Sequence, residues 1–413
     1  MPAASASVTV RFRVDQSYAA LESAPCLEGG FLGLGWYEEQ TSWEADAVHA
    51  AAAAAGVYVQ HTLYNENANL VLSNAKRPGH QKNANSPFLK SNGGPLDLEN
   101  CFDEFWVNPI VRAIVHDKLR YIVARWAPSR HFAMLELFNE NPIAKKAGAI
   151  TAWHAAVGEE WHQLNNAAGY NHLLTSSRYP FKGSAYGTSH AGISAPIASL
   201  DVAQVHAYPL INLPLNGQGN GAVGPLPLFF LNNTIGASRL PGHHKKTPLI
   251  WGEVGIDRSL RNGSSGADIE YDPHGASLHN PMWATAFGQG AGALFWYSDT
   301  YIAPRNLWYH FTGFRKFVDR VPWAAASLRP LAAELVVATP KVVVSALVEG
   351  GTGGPSSWVG SWLWVRNAAY DSSWLLAHPG QTVPPLAAGL RVSLPCGEAG
   401  STSKALTLTW WCV

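Results

Sequence analysis

Charge is what this chain has least of. Only 14% of its 413 residues are Asp, Glu, Lys or Arg, against roughly 25% in ordinary soluble domains. Basic and acidic residues cancel at 29 each, so no excess of either sign favours a nucleic acid or an anionic membrane surface as partner. Long apolar runs are also missing: no stretch of ~18 apolar residues suits a membrane span. Cysteine is scarce, and Cys26, Cys101, Cys396 and Cys412 lack metal-ligand spacing, which argues against a zinc site. Cys396 and Cys412 fall on C-terminal strands and are compatible with either a disulfide or a reduced pair. The opening MPAASASVTV has neither the charged start nor the apolar core of a secretory signal.

What the chain has in quantity is apolar and aromatic side chains. Hydrophobic residues make up 47%, with 17 Trp and 14 Tyr, enough for a large buried core. An aromatic core accounts for such rings as well as a carbohydrate cleft does, since sugar faces stack on flat apolar surfaces. Asn232-Asn233-Thr234 and Asn262-Gly263-Ser264 fit the glycosylation acceptor pattern, which matters only in a secreted chain.

Along the chain, strand-like runs alternate with helical ones. Strands are predicted at Val8–Val14, Val57–Leu63, Phe132–Glu140, His172–Tyr179, Val202–Tyr208, Thr247–Ile256 and Ala291–Asp299. Helices are predicted at Trp43–Gly56, about Val107–Trp126, Ile150–Ala168, Ala276–Phe287 and near Tyr309–Val321. Such alternation implies parallel pairing with helices packed outside the sheet. A closed (β/α)8 TIM barrel needs eight strands, and this count reaches seven. After about Arg329, KVVVSALVEG, SWVGSWLWVRN, GLRVSLPC and ALTLTWWCV follow one another without helices, the pattern of a small antiparallel β domain. The chain is therefore divided into a barrel, residues 1–328, and a β-sandwich, residues 329–413.

One stretch poses a chemical question. AMLELFNENP (Ala133–Pro142) reads as a buried strand, yet it carries Glu136 and ends in Asn139-Glu140. An ionised carboxylate in a core is costly unless paired. Glu136, deep in the strand, is expected to be structural and to pair with an interior arginine. Glu140 stands at the C-terminal end, where barrels of this class gather their active sites. Glu253 stands near the end of PLIWGEVG, three strands later, with Gly252 before it. Two carboxylates flanking a glycosidic bond are what its hydrolysis requires: one protonates the leaving oxygen and the other attacks or activates water. Neither is decisive alone. Asn-Glu also occurs at Asn65-Glu66, where a loop-cap role is the commoner explanation, and Glu253 could equally be an ion-pair partner. It is their placement together that points to catalysis.

AMLELFNENP, the His206-x-Tyr208 strand, LIWGEVG and LFWYSD, with LRYIVARWAPSRHFAMLELFNE and DPHGASLHNPMWATAFGQGAGALFWYSD, resemble the glycoside hydrolases of clan A, the family 5-like cellulase group. The resemblance covers roughly Val8 to Trp323. It implies a TIM barrel acting on a polysaccharide or oligosaccharide with retention of configuration, Glu140 as acid/base and Glu253 as nucleophile, with no metal or other cofactor. It further implies that Asn139 contacts the sugar 2-hydroxyl and that Arg11, His206, Tyr208 and Trp296 line the site. A small β-sandwich after the barrel and a location outside the cytoplasm are implied as well. Physically, Arg11 and Tyr208 are candidates for keeping the nucleophile ionised, and Trp296 for an apolar floor beneath a sugar ring. An ordinary buried histidine and ordinary core packing are the plainer readings of His206 and Trp296. Trp36, Tyr37, Trp283, Tyr301 and Trp308 are subsite candidates for which core packing is the commoner role.

Two departures stand out. Leu135 and Phe138 occupy positions where that group commonly has Trp. The group's first strand and helix would precede Val8, so an open seam is expected in the barrel, a liability for its edges. A carbohydrate-binding protein on a degraded or truncated barrel is the alternative that this seam raises.

Overall fold

The computed structural model describes residues 8–13, 21–24, 30–31, 33–65, 86–97, 101–139, 147–178, 197–207, 247–254, 272–295, 298–323, 327–331, 336–337, 342–350, 358–371, 374–375, 378, 381–385 and 392–393. Seven strands form one sheet in chain order: β1 (Val8–Arg13), β2 (Val57–Asn65), β3 (Phe132–Asn139), β4 (Leu173–Arg178), β5 (Val202–Ala207), β6 (Leu249–Val254) and β7 (Gly292–Phe295). Every neighbouring pair is parallel, as crossover helices require. The sheet curls until Cα atoms of its outermost strands, β1 and β7, come within 8 Å of each other. No ladder joins those two strands among the described residues.

The longer helices are α1 (Glu39–Ala55), α2 (Pro109–Trp126), α3 (Ala147–Ala167), α4 (Ala276–Phe287) and α5 (Tyr309–Val318), and a short helix, Cys101–Phe105, precedes α2. Capping explains their limits. α1 starts earlier than its apolar pattern predicts because the Glu38 carboxylate accepts the Thr41 N–H at 2.5 Å. It ends where Gly56, at φ +67°, donates back to the Ala52 and Ala53 carbonyls. α2 starts at Pro109 rather than Val107, since Asn108 accepts from the N–H groups of Ile110 and Val111. β7 is described over Gly292–Phe295, and Ser298–Ile302 coils into a helical turn where the sequence predicts strand up to Asp299.

Alternation along the strands sorts the core into two sides. Leu135 and Leu137 pack outward on Val115, Leu119 and Trp126 of α2 and on Trp153 and Trp161 of α3. Trp251 packs outward on Leu278, Met282 and Trp283 of α4. Met134, Val202 and Ile250 cluster with one another; β3 is a neighbour of neither β5 nor β6, so they meet inside the curled sheet.

Beyond the barrel, β8 (Leu328–Leu331), β10 (Val342–Gly350) and β11 (Trp358–Asn367) make a three-stranded antiparallel sheet, and β9 (Val336–Val337) pairs with β12 (Val392–Ser393). In place of the predicted sandwich, the described residues hold this one sheet and a two-residue ladder; ALTLTWWCV, Cys26, Cys396, Cys412, Asn232 and Asn262 lie outside them. Leu347 and Trp364 share a core with α4 and α5, which joins the antiparallel sheet to the barrel's flank.

Candidate active site

Strict alternation along β6 would place Glu253 on the same side as Trp251, against the helices. The register shows otherwise. Val205 pairs with Trp251 and His206 with Glu253, leaving Gly252 as an extra residue opposite β5. On the other flank, Trp251 pairs with Ala293 and Val254 with Phe295, again one residue too many on β6. This is a β-bulge, a device that re-aims a side chain. It brings Glu253 beside His206 at the C-terminal ends of their strands, with Oε2 3.5 Å from Nδ1. Both side chains are buried, at 4% and 0% exposure.

One layer below lies a ring of polar side chains, all fully buried. Thr62 Oγ1 donates to Glu136 Oε2 at 2.7 Å. Gln60 Nε2 donates to the same oxygen at 3.1 Å and to Gln204 Oε1 at 3.0 Å. Gln204 Nε2 donates to Glu136 Oε1 at 2.9 Å. Where the sequence predicts an interior arginine for Glu136, these described partners are neutral donors. Arg11 pairs with Gln60 in the backbone register of β1 and β2, and its side chain lies outside the described set. The roof over this layer is aromatic: Phe138 packs on Tyr64 at 6.4 Å, Phe105 at 6.2 Å and Trp106 at 5.2 Å between ring centroids.

Asn139 ends β3, is 1% exposed, and pairs in register with Asn65. Glu140, Tyr208 and Trp296, which directly follow β3, β5 and β7, lie outside the described residues. Of the predicted site residues, Glu253 and His206 are thus brought together, and Asn139 is buried at the end of β3, on the same rim. Among the aromatic candidates, Trp36 and Trp308 are 71% and 49% exposed, whereas Trp283 and Tyr301 are core residues. Tyr37 packs against Tyr121, and burial together with the nearby Glu22 pushes its hydroxyl well above the usual tyrosine range.

Sequence reasoning missed Gln60, Thr62 and Gln204, though a signal was present: polar residues two apart inside apolar strands, Gln60-x-Thr62 and Gln204-x-His206, share one face. It also missed the buried Lys118–Glu22 pair, 2.7 Å apart, which ties the segment after β1 to α2. Nothing local announces that pair. Among the described residues, no cluster of His, Cys, Asp and Glu is suited to a metal ion, and no helix is long and apolar enough to cross a membrane.

No protein-family model and no curated protein sequence matches the chain. Among solved structures it is similar to an endo-glycoceramidase II from Rhodococcus sp. in a cellobiose-like imidazole complex, at 15% identity and a TM-score of 0.45, covering 83% of this chain and 76% of that one. It is also similar to a Bacteroides ovatus GH5 xyloglucanase bound to a XXXG heptasaccharide, at 12% identity and a TM-score of 0.45, covering 76% and 65%. A Bacteroides uniformis beta-glucuronidase aligns at 10% identity and a TM-score of 0.39, covering 78% of this chain and 37% of that one. Since one fold hosts many chemistries, function is argued from this chain's own site.

Proposed function

We propose that this chain is a glycoside hydrolase cleaving β-linked glycans of the cellulose, β-glucan or β-mannan type. The observation that carries this reading is the bulge at Gly252, which turns Glu253 beside His206 at the C-terminal rim of the sheet. A bulge there disrupts two ladders, and such distortions recur next to active sites. An imidazole beside a buried carboxylate can donate to it and stabilise the charged, nucleophilic form.

In the mechanism we assign, the Glu253 carboxylate attacks the anomeric carbon while Glu140 protonates the departing oxygen, giving a glycosyl ester. Water then attacks the same carbon, Glu140 takes its proton, and Glu253 leaves with configuration retained. Asn139 is assigned to the sugar 2-hydroxyl, Arg11 and Tyr208 to the surroundings of the nucleophile, and Trp296 to the sugar face. The resemblance supports each of these roles and a location outside the cytoplasm.

The experiment is a hydrolysis panel on folded protein with β-glucan, β-mannan and aryl β-glycosides. Wild type is expected to release sugar with the β-anomer first, and Glu253→Gln to lower kcat on the order of 10³-fold or more. That no ladder joins β1 and β7 among the described residues supports a second reading, a carbohydrate-binding protein on a degraded or truncated hydrolase barrel. Sugar affinity without turnover on the whole panel would replace the first reading with the second; products longer than the substrate would mark a transglycosylase.

A further inference from the structure

A helix on the outside of a barrel ordinarily leaves one side in solvent. α4 does not: every residue from Ala276 to Phe287 is buried except His279, which is half-buried. Leu278 and Met282 share a core with Trp251 of β6. A second stripe, His279, Trp283 and Phe287, is spaced one turn apart. All three meet a single ring, Trp364 of β11, at 6.0, 6.2 and 6.0 Å between centroids. The antiparallel sheet stands where solvent would.

Both ends of α4 are tied to that sheet. Gln289, just past the helix, donates from Nε2 to the carbonyl of Leu328, the first residue of β8, at 2.5 Å. At the start, Asn280 Nδ2 donates to the Tyr370 carbonyl at 2.9 Å, and the Tyr370 hydroxyl donates to the His274 carbonyl at 2.7 Å. Tyr370 leaves β11 through a fixed turn. Asn367 accepts there from the Ala369 N–H on Oδ1 and from the Tyr370 N–H on its carbonyl.

The His274 carbonyl has further donors on α5: His310 Nε2 lies 2.8 Å from it and the Tyr309 hydroxyl 3.2 Å. A carbonyl only accepts, so the His310 ring proton sits on Nε2 and Nδ1 is left as an acceptor. His279 Nδ1, 3.3 Å away, donates to it. Gly275 permits this approach: its φ is +73°, and a Cβ there would stand 2.7 Å from His310 Nε2. Burial, with Asp272 nearby, holds the Tyr309 and Tyr370 hydroxyls above the usual tyrosine range, so both remain donors. The Asp272 carboxylate accepts from the N–H groups of Ala276 and Ser277, and its carbonyl accepts from the Tyr301 hydroxyl at 2.9 Å.

Asp272–Gly275 is the last part of the connection to α4 from β6, the strand of Glu253, and strand-to-helix connections face the C-terminal rim. We propose that the antiparallel sheet is a brace of that rim and not a separately folding domain: Trp364 covers α4, and Tyr370 straps the segment from which α4 starts. The brace rests on these contacts alone; its effect on catalysis rests on the glycosidase reading.

The test uses the whole chain. Amide hydrogen exchange of the peptide spanning residues 272–280 is expected to be about tenfold faster in Tyr370→Phe, as loss of one hydrogen bond allows. Tyr121→Phe is the control, since its hydroxyl bonds Ser42 of α1, and should leave that peptide unchanged. In wild type, exchange across a urea series should show α4, β10 and β11 losing protection at one midpoint. A sheet that loses protection at lower urea than α4, or a Tyr370→Phe exchange rate equal to wild type, overturns the brace. On a polymeric β-glycan, Tyr370→Phe is expected to lower kcat/KM severalfold. Faster exchange in Tyr370→Phe, with wild type inactive on every glycan, would uphold the brace and overturn the glycosidase reading alone.

Discussion

The Cβ that Gly252 lacks would sit 2.3 Å from Nε2 of Gln204. The glycine thus serves two ends: it is the extra residue of the bulge that turns Glu253, and it leaves room for the amide that meets Glu136. Gly252→Ala is expected to lower stability by about 1–3 kcal/mol through overpacking and to reduce glycan hydrolysis more than stability alone accounts for. Adding Gln204→Ala should recover part of the stability but not the activity. Urea unfolding of the two single variants and the double variant measures the coupling; strict additivity would show that the two residues do not compete for space.

Glu136 is an acceptor on both oxygens: Oε2 takes Thr62 and Gln60, and Oε1 takes Gln204. A glutamine there must aim its NH2 at a donor whichever way the amide is turned. Glu136→Gln is therefore expected to cost about 1–3 kcal/mol despite its near-identical shape. A chemical denaturation midpoint equal to wild type would contradict this.

Several buried or half-buried histidines are expected to make the fold acid-sensitive. His49 and His61 face each other with their Nε2 atoms 2.6 Å apart. Desolvation lowers His49 to about 4 and, in α3, His154 to about 4. Desolvation, with His310 and Arg366 nearby, lowers His279 to about 3. In the unfolded chain each titrates near 6.5, so between about pH 6.5 and 4 the unfolded state holds more protons. Stability is then full above pH 6.5 and falls as pH drops toward 4, by up to about 1.4 kcal/mol per pH unit for each such histidine. Urea midpoints from pH 8 to 4 should show the decline, and His279→Asn should flatten part of it. A midpoint unchanged down to pH 4.5 would refute the linkage.

Trp36 and Trp308 keep 71% and 49% of their surface in solvent, and each follows a barrel strand in a connecting segment on the candidate site's side. Trp36→Ala and Trp308→Ala should leave stability within about 0.5 kcal/mol of wild type. Each should raise KM for a polymeric glycan severalfold while leaving an aryl monoglycoside unaffected. Equal effects on both substrates would exclude a role in binding the distal sugar units.

The helices and strands were legible because their signals are local. The Trp43–Gly56 pattern ends at a glycine that does adopt φ +67°, and α4 occupies the predicted Ala276–Phe287. Start points were less legible. Glu38 and Asn108 cap their helices from outside the apolar repeat, and a cap leaves no periodic trace.

By itself, the sequence determined the alternation of strands and helices, the parallel sheet, the antiparallel appendage and the choice of Glu253 and His206 as site candidates. The elements follow from residue type at a spacing of two or 3.6 along the chain, Glu253 from its place near a strand's C-terminal end, and His206 from the family resemblance alone. Tertiary structure alone decided which way Glu253 faces, because a bulge is defined by the strand opposite and period-two reading puts that side chain on the wrong face. It likewise decided that amides and a hydroxyl from β2 and β5 reach the Glu136 carboxylate. It also decided that Tyr370 reaches across to the carbonyl of His274. Those contacts join residues far apart in the chain, and no local spacing encodes the distance between strands that meet only when the sheet curls.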